Sequence, residues 1–134
     1  MSSVIIDGQA VAAKARAEIA EKVAEFKAVC GKVPGIAVVL AGDDPASAIY
    51  VANKEKAALS AGMYSRALRL SAAVAEEELL AIVDELNKDD QIHGILVQLP
   101  LPKRINASKI LSAISPSKDV DGFHPINVGK LHIG

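Results

Sequence analysis

The chain contains a short apolar run, Gly35-Ile36-Ala37-Val38-Val39-Leu40-Ala41, which is rich in β-branched residues. Pro34 precedes the run, and the turn formers Gly42-Asp43-Asp44-Pro45 follow it. A continuous apolar run between turn signals predicts a strand that is buried on both faces, as the strands of parallel sheets are. A second run of this kind, Gly94-Ile95-Leu96-Val97-Gln98, predicts another buried strand.

Helical patterns alternate with these strands. The predicted elements, in chain order, are an amphipathic helix ending at Gly31, the strand 35–41, a helix capped by Asp44 and ending near Ala61, a strand from about Tyr64 to Leu70, a helix beginning at Glu76 and breaking at Asn87, the strand 94–98, and a short helix capped by Asn106. This alternation predicts right-handed crossovers and a three-layer α/β/α fold with a mainly parallel sheet. Ligands of such folds lie beyond the carboxyl ends of the strands.

Composition limits the classes of partner. The chain has 134 residues, 51% of them hydrophobic and 3% aromatic, which predicts one domain with an aliphatic core. Its 15 basic and 16 acidic residues leave a net charge of -1, without a basic cluster for nucleic acid or an anionic membrane. We therefore expect a small-molecule partner, no nucleic acid and no membrane.

Location and redox chemistry follow from the N-terminus and from the cysteine count. The segment Met1–Asp7 lacks the regions of a leader peptide, and no apolar run is long enough for a membrane span, so we expect a cytoplasmic protein. Cys30 is the only cysteine, which excludes an intrachain disulfide. We expect Cys30 to be a buried structural thiol.

The segment Pro116–Gly129 has no periodicity and is rich in turn formers, so it predicts an ordered loop, where binding residues concentrate. Three segments follow the carboxyl ends of the apolar strands and can converge on one cleft. They are Asp43–Lys56, Gln98–Pro102 and Lys118–Pro125.

The second helix places one lysine among small apolar residues. At about 100° per residue, Ser47, Tyr50 and Lys54 share a face with several alanines, whereas Lys56 lies on the opposite, polar face. A partly desolvated lysine can take part in proton transfer, and Tyr50 offers a ring to a planar ligand. The alternative is that Lys54 extends along the alanines to reach water.

Two further polar residues are candidates for the cleft. Gln98 either is the first solvated residue after its strand or points into the cleft, and Asp121 either caps a turn or accepts hydrogen bonds from a ligand. No glycine-rich phosphate motif is present, and Asp43 and Asp44 would repel a pyrophosphate in the first strand-to-helix turn. We therefore predict no dinucleotide site in these residues.

A metal site is a weaker alternative. Asp119, Asp121 and His124 could combine, but His93 and His132 have no motif spacing with them, so we predict no metal. A metal-dependent hydrolase that uses these acidic loops stays open as a minor reading.

Several segments together carry a resemblance. They are Val38–Ser47, Tyr50-Val51 with Lys54 and Lys56, Gly94–Pro102, and Lys118–Asn127 with Gly129. These segments resemble the FolD family of bifunctional methylenetetrahydrofolate dehydrogenase/methenyltetrahydrofolate cyclohydrolases, and the similarity covers nearly the whole chain. The resemblance implies NADP-linked oxidation of 5,10-methylenetetrahydrofolate and hydrolysis of the methenyl product to 10-formyltetrahydrofolate, which feeds purine synthesis. It also implies a homodimer of the full-length protein.

The resemblance also implies residue roles. Lys54 matches the catalytic lysine, Gln98 its hydrogen-bonding partner, Tyr50 the aromatic residue that stacks on the folate, and Asp121 the carboxylate that holds the pterin. Ser47 and Pro100 resemble further parts of the folate cleft.

The same resemblance implies that residues 1–134 form the folate-binding catalytic domain. Family members continue into a Rossmann-type domain that binds NADP, so we expect this chain alone not to be a dehydrogenase. The alternative is a non-catalytic folate-binding or regulatory remnant, which the retention of Lys54, Gln98 and Asp121 disfavours.

Overall fold

The computed structural model describes residues 5–134; Met1–Val4, the first part of the segment in which a leader was sought, lies outside the described residues. The elements, in chain order, are α1 (Gly8–Cys30), β1 (Gly35–Ala41), α2 (Pro45–Ser60), β2 (Tyr64–Leu70), α3 (Glu76–Lys88), β3 (Gly94–Val97), α4 (Ala107–Ala113) and α5 (Pro125–Ile133). Seven of these elements match the predicted order, and α5 is additional.

The strands form a parallel sheet in the order β2-β1-β3. In the central strand, Val38 pairs with Ala67 of β2 on one side and with Leu96 of β3 on the other. The side chains of Val38 and Val39 are completely buried, because both faces of the sheet are covered. The predicted parallel sheet of buried strands is confirmed.

Successive side chains of β1 point to opposite faces and create two apolar layers. Ala37, Val39 and Ala41 pack with apolar residues of α3 and α4. Val38 and Leu40 pack on the other face against Val51 of α2. The fold is therefore the predicted three-layer α/β/α arrangement, and the carboxyl end of the sheet is left open between the layers.

Short polar side chains cap the first turns of two helices by accepting hydrogen bonds from backbone N–H groups. Asp44 accepts a hydrogen bond from the Ser47 N–H at 2.7 Å, and Pro45 occupies the first turn of α2, where no N–H is needed. Asn106 caps α4 by accepting from the Lys109 N–H at 3.2 Å. Gly31 ends α1 with a φ of 70°, a conformation that favours glycine.

Helix α1 is formed as predicted, but most apolar side chains of this amphipathic helix are not buried. Only Val23 of α1 is buried, whereas Ile19 and Phe26 are 45% and 50% exposed. The expectation of a buried thiol was wrong, because Cys30 lies in the last turn of this solvent-facing helix and is exposed. No helix within residues 5–134 is long and apolar enough to cross a membrane.

The prediction of a loop through Gly129 was wrong from Pro125 onward, where α5 begins. Proline is compatible with the first helical position because it has no N–H to satisfy and its φ is preset. The His124 side chain caps this helix by accepting from the Ile126 N–H at 3.1 Å. Gly129 lies inside α5, where glycine costs about 1 kcal/mol relative to alanine.

Candidate active site

A cavity of about 220 Å³ lies at the carboxyl end of β3, between α2 and the loop that precedes α5. Its lining residues are Lys54, Leu96, Val97, Gln98, Leu99, Asp121 and Phe123. Ligands of open parallel sheets bind at these carboxyl ends of the strands. The predicted convergence of three segments is therefore present in the structure.

Lys54 and Gln98 are joined directly in this cavity. The Lys54 Nζ donates to Gln98 Oε1 at 2.9 Å, and Gln98 Nε2 donates to the Leu99 carbonyl at 3.1 Å. The backbone N–H of Gln98 donates to the Val39 carbonyl at 2.8 Å, which ties this residue to the central strand. Gln98 therefore presents its oxygen to the lysine, and the Lys54 amine is held over the end of the sheet.

Tyr50 lies one turn before Lys54 on α2. The Lys54 Nζ is 5.6 Å from the centre of the Tyr50 ring, within the range of a cation–π contact. The Tyr50 side chain is 59% exposed, so much of its ring is accessible to a ligand. The helix thus offers an amine and an aromatic surface on one side, as the helical spacing predicted.

Asp121 faces the same cavity from the loop. Desolvation raises its pKa, the positive charge of Lys54 opposes this effect, and the negative charge of Asp119 adds to it. The Asp121 side chain retains access to solvent. A carboxylate in this position can accept hydrogen bonds from ligand N–H groups while it interacts electrostatically with Lys54.

The loop that carries Asp121 is attached to the edge of the sheet. The Ile95 N–H donates to the Lys118 carbonyl at 2.7 Å, which extends the parallel pairing beyond β3. The Lys118 Nζ donates to the carbonyls of Leu86 and Asp89, at 3.1 and 2.9 Å, at the end of α3. These contacts place the loop on rigid elements.

The sequence-predicted site residues divide into two groups. Lys54, Gln98 and Asp121 line one cavity, with Tyr50 beside the lysine. Ser47 does not line this cavity; it is buried in the first turn of α2, where its N–H contacts the Asp44 carboxylate. Pro100 is exposed after a cis Leu99–Pro100 peptide bond and does not line the cavity either.

Sequence reasoning missed Phe123 and Leu99, which both line the cavity. Phe123 is 50% exposed and lines the cavity from the loop that carries Asp121. With aromatic residues at only 3%, an aromatic residue inside the Asp121 loop was a signal that could have identified it.

A larger cavity, of about 510 Å³, lies at the amino ends of the strands, opposite the first cavity, and its lining includes Lys32, Tyr64 and His93. These residues precede or begin the strands, so the cavity lies at the amino ends. Because ligands of this architecture bind at the carboxyl ends, and because the lysine–amide pair is there, we assign the site to the smaller cavity.

The residues of the metal alternative are engaged in other contacts. The His124 Nδ1 accepts from the Ile126 N–H, and its Nε2 donates to the Ser112 carbonyl at 3.1 Å. Both carboxylate oxygens of Asp119 accept N–H groups of the protein. Across the described part of the chain, no three histidine, cysteine or acidic side chains group in a way that could hold a metal ion.

Fold and site together define an α/β domain with a lysine–amide pair, an aromatic surface and a carboxylate at the carboxyl edge of a parallel sheet. Residues 6–121 match the model of the tetrahydrofolate dehydrogenase/cyclohydrolase family, catalytic domain. The chain belongs to this family.

Similar proteins agree with this assignment. The chain is 61% identical over 130 residues to the bifunctional protein FolD of Geotalea daltonii, covering 97% of this chain and 46% of the relative. It is 57% identical, with the same coverage, to FolD of Streptococcus equi subsp. zooepidemicus. The chain therefore spans about half the length of the curated relatives it matches.

Solved structures show the same fold. The bifunctional enzyme FolD of Campylobacter jejuni superposes with a TM-score of 0.90 at 49% identity, covering 95% of this chain and 45% of that one. The methylenetetrahydrofolate dehydrogenase-cyclohydrolase of Trypanosoma brucei, solved with NADP cofactor and an inhibitor, superposes with a TM-score of 0.95 at 41% identity. It covers 99% of this chain and 46% of that one.

Proposed function

We propose that the chain is the folate-binding catalytic domain of a bifunctional enzyme that interconverts one-carbon tetrahydrofolates. The observation that carries this proposal is the Lys54–Gln98 hydrogen bond of 2.9 Å inside a cavity that Asp121 also lines. The names of the related proteins supply the substrate class, and the geometry supplies groups suited to it.

The cavity suits a planar heterocycle that carries N–H donors. Tyr50 presents an exposed ring on which a pterin or its attached ring can stack, and stacking contributes about 1 kcal/mol beyond the burial of area. Asp121 can accept the N–H groups of a pterin, because an ionised carboxylate only accepts. We retain Ser47 and Pro100 as secondary predictions for the wider folate cleft.

Hydrolysis of 5,10-methenyltetrahydrofolate needs proton transfer at one carbon. Lys54 first releases one ammonium proton to solvent. Water then adds its oxygen to the methenyl carbon and loses a proton, which the Lys54 nitrogen accepts. The bond between that carbon and N5 then breaks, its electron pair stays on N5, and the Lys54 ammonium returns the proton there. The remaining hydroxyl proton leaves to solvent, and the product is 10-formyltetrahydrofolate.

Gln98 supports both states of the lysine. Its Oε1 accepts from Nζ whether the nitrogen is an amine or an ammonium, so the nitrogen stays in place while its proton moves. The second hydrogen bond, from Nε2 to the Leu99 carbonyl, opposes rotation of the amide. Lys54 is the proton-transfer group in this proposal, and Gln98 is its partner.

The oxidation of 5,10-methylenetetrahydrofolate would use NADP as hydride acceptor, and the described residues do not fit that cofactor. The turn between β1 and α2 carries Asp43 and Asp44, and Asp44 already caps the helix where a phosphate would bind. We therefore propose that the dehydrogenase activity uses residues in the half of the relatives that this chain does not match, and we derive no hydride step here.

The test follows the loss of 5,10-methenyltetrahydrofolate absorbance without NADP. Lys54→Met should lower the enzyme-dependent rate by about 100-fold or more, because a proton-transfer group contributes about that much. Lys56→Met is the matched control, because Lys56 lies on the same helix but is exposed and does not line the cavity. No rate above the protein-free control, with folate still bound, would instead favour the non-catalytic folate-binding alternative.

We also propose a homodimer and a cytoplasmic location for the full-length protein. The exposed apolar side chains of α1 support self-association. Cell fractionation with an antibody to this chain tests the location; recovery in a membrane or secreted fraction would contradict it.

A further inference from the structure

The Asp119 carboxylate gathers four N–H groups from the residues that follow it. Oδ1 accepts from the backbone N–H groups of Gly122 and Phe123, at 3.1 and 3.4 Å. Oδ2 accepts from the His124 N–H and from Asn127 Nδ2, both at 2.9 Å. One side chain therefore closes the loop from its own position to the first turn of α5.

Asp119 is anchored on the other side by the sheet. It forms a parallel bridge with Ile95 of β3, next to the hydrogen bond between Ile95 and Lys118. Burial works to raise the pKa of Asp119, but the N–H groups of Asn127 and of the loop outweigh it and hold the pKa below its ordinary value. The carboxylate is therefore ionised at neutral pH and saturated by donors of the chain itself.

The loop closed in this way carries two cavity residues. Asp121 and Phe123 line the cavity and Asp119 does not, although it lies only two residues before Asp121. Gly122, between them, has a φ of 70°, in the left-handed region that favours glycine. The direction of the Asp121 side chain thus depends on a turn that the Asp119 carboxylate holds.

We propose that Asp119 is a positioning residue, which orients Asp121 toward the bound folate without touching it. The proposal rests on the proposed function for the identity of the ligand. A purely structural alternative is that Asp119 stabilises only α5. In the positioning role, the loss of Asp119 weakens folate binding through Asp121; in the structural role, it does not.

The first experiment needs no ligand. Amide hydrogen exchange, read by NMR, should show that Asp119→Asn removes protection either at the Gly122 and Phe123 N–H groups or at the His124 N–H, because the asparagine side chain has one accepting oxygen in place of two. The expected increase in exchange rate is about tenfold or more, the usual effect of losing a hydrogen bond to a charged group. Amides of β1 should not change.

Asp7→Asn is the matched control for this measurement. Asp7 also accepts two backbone N–H groups, from Gln9 and Ala10 at 3.0 and 3.1 Å, but at the start of α1. This variant should leave exchange in the loop unchanged. Wild-type protection of the loop amides in Asp119→Asn would overturn the proposal.

The second experiment is a double-mutant cycle on the binding of 5-formyltetrahydrofolate, measured by calorimetry. Asp119→Asn should weaken binding about tenfold in the wild-type background and less than about twofold when Asp121→Asn is present, because the effect passes through Asp121. Equal losses in both backgrounds would overturn the positioning role and favour the structural one. If the wild-type chain binds no folate, the proposed function fails, while the exchange experiment still decides whether Asp119 holds the loop.

Discussion

The Lys54 Nζ lies 2.9 Å from Gln98 Oε1, although 44 residues separate the two in the chain. One residue is in the third turn of α2, and the other follows the last residue of β3. The parallel pairing of β1 with β3 brings them together, because it places the end of β3 beside the start of the β1–α2 connection. The contact therefore depends on the parallel pairing of β1 with β3.

Replacement of Gln98 by leucine should lower cyclohydrolase turnover. The change keeps a similar side-chain size but leaves the Lys54 amine without its partner, and a hydrogen bond to a charged group is worth about 1.5 to 3 kcal/mol, which is a loss of roughly tenfold or more. The measurement is the rate of methenyltetrahydrofolate hydrolysis under saturating substrate. Gln91→Leu, an exposed glutamine at the opposite edge of the sheet, is the control; equal rates for the two variants would contradict the assigned role of Gln98.

Replacement of Tyr50 by alanine should weaken folate binding, because the exposed ring is then lost as a stacking surface. Stacking is worth about 1 kcal/mol beyond area, so the dissociation constant should rise by at least about fivefold. Tyr50→Phe keeps the ring and should stay close to wild type. Tyr64→Ala removes a ring at the opposite edge of the sheet and should not affect affinity; calorimetric affinities that fall equally for Tyr50→Ala and Tyr64→Ala would rule out stacking on Tyr50.

Folate affinity should fall as the solution is acidified, starting at a higher pH than for an ordinary aspartate. Desolvation raises the pKa of Asp121, and the carboxylate can accept ligand N–H groups at both oxygens only while it is ionised. As the pH falls through this raised pKa, the protonated side chain loses acceptor capacity. Calorimetric titrations across neutral and mildly acidic pH should show this loss in the wild type and not in Asp121→Asn.

The raised pKa of Asp121 has opposite consequences for folate binding and for the stability of the fold. Because a raised carboxyl pKa means that the ionised form is disfavoured in the folded state, Asp121 lowers stability above its unfolded-state pKa, and this cost is absent at lower pH. Asp121→Asn should therefore not lower the free energy of unfolding at neutral pH. Weaker binding by a variant that unfolds at lower urea concentration would undermine the assignment of Asp121 to the ligand.

The exposed apolar stripe of α1 should make the chain self-associate. Val11, Ile19, Phe26 and Val29 are 62%, 45%, 50% and 88% exposed. At about 100° per residue they lie within one third of the helix circumference. They form an apolar surface that Lys22, on the same side of the helix, interrupts between Ile19 and Phe26. Sedimentation should show a mass that rises with protein concentration, and the double variant Ile19→Ser, Phe26→Ser should remain monomeric.

The control for this prediction lies on the same helix. Ala17 and Ala24 are exposed on the side away from the stripe, so the double variant Ala17→Ser, Ala24→Ser should associate as the wild type does. A wild-type mass that stays monomeric at every concentration would contradict the prediction.

Local sequence signals were sufficient for most elements. The run 35–41 coincides with β1, because its continuous apolar and β-branched character can be read directly. The segment 64–70 coincides with β2, although it has no β-branched residue and none of its residues is fully buried. The helix caps at Asp44 and Asn106 were also correct, since capping is a contact over a few residues. The helix α5 was missed because Pro125 and Gly129 are turn formers by composition, whereas the cap from His124 depends on a turn closed by Asp119.

The candidate site was only partly readable. Helical spacing brought Tyr50 and Lys54 to one face, because that spacing repeats with the turn of the helix. Whether Lys54 reached water or a partner, and whether Gln98 pointed inward, were open alternatives on the residues alone. Both depend on how α2 packs against the sheet, which no local pattern encodes.

The sequence by itself determined the order of the first seven strands and helices, the apolar faces that build the two layers, and the family to which the chain belongs, because these are carried by periodicity and by motifs of neighbouring residues. Only the tertiary structure decided which polar groups meet. The parallel register of β1 and β3 joins Lys54 to Gln98, and the Asp119 turn directs Asp121 and Phe123 to the same cavity. Hydrogen bonds act over about 3 Å, so partners far apart in the chain are selected by packing and not by sequence spacing.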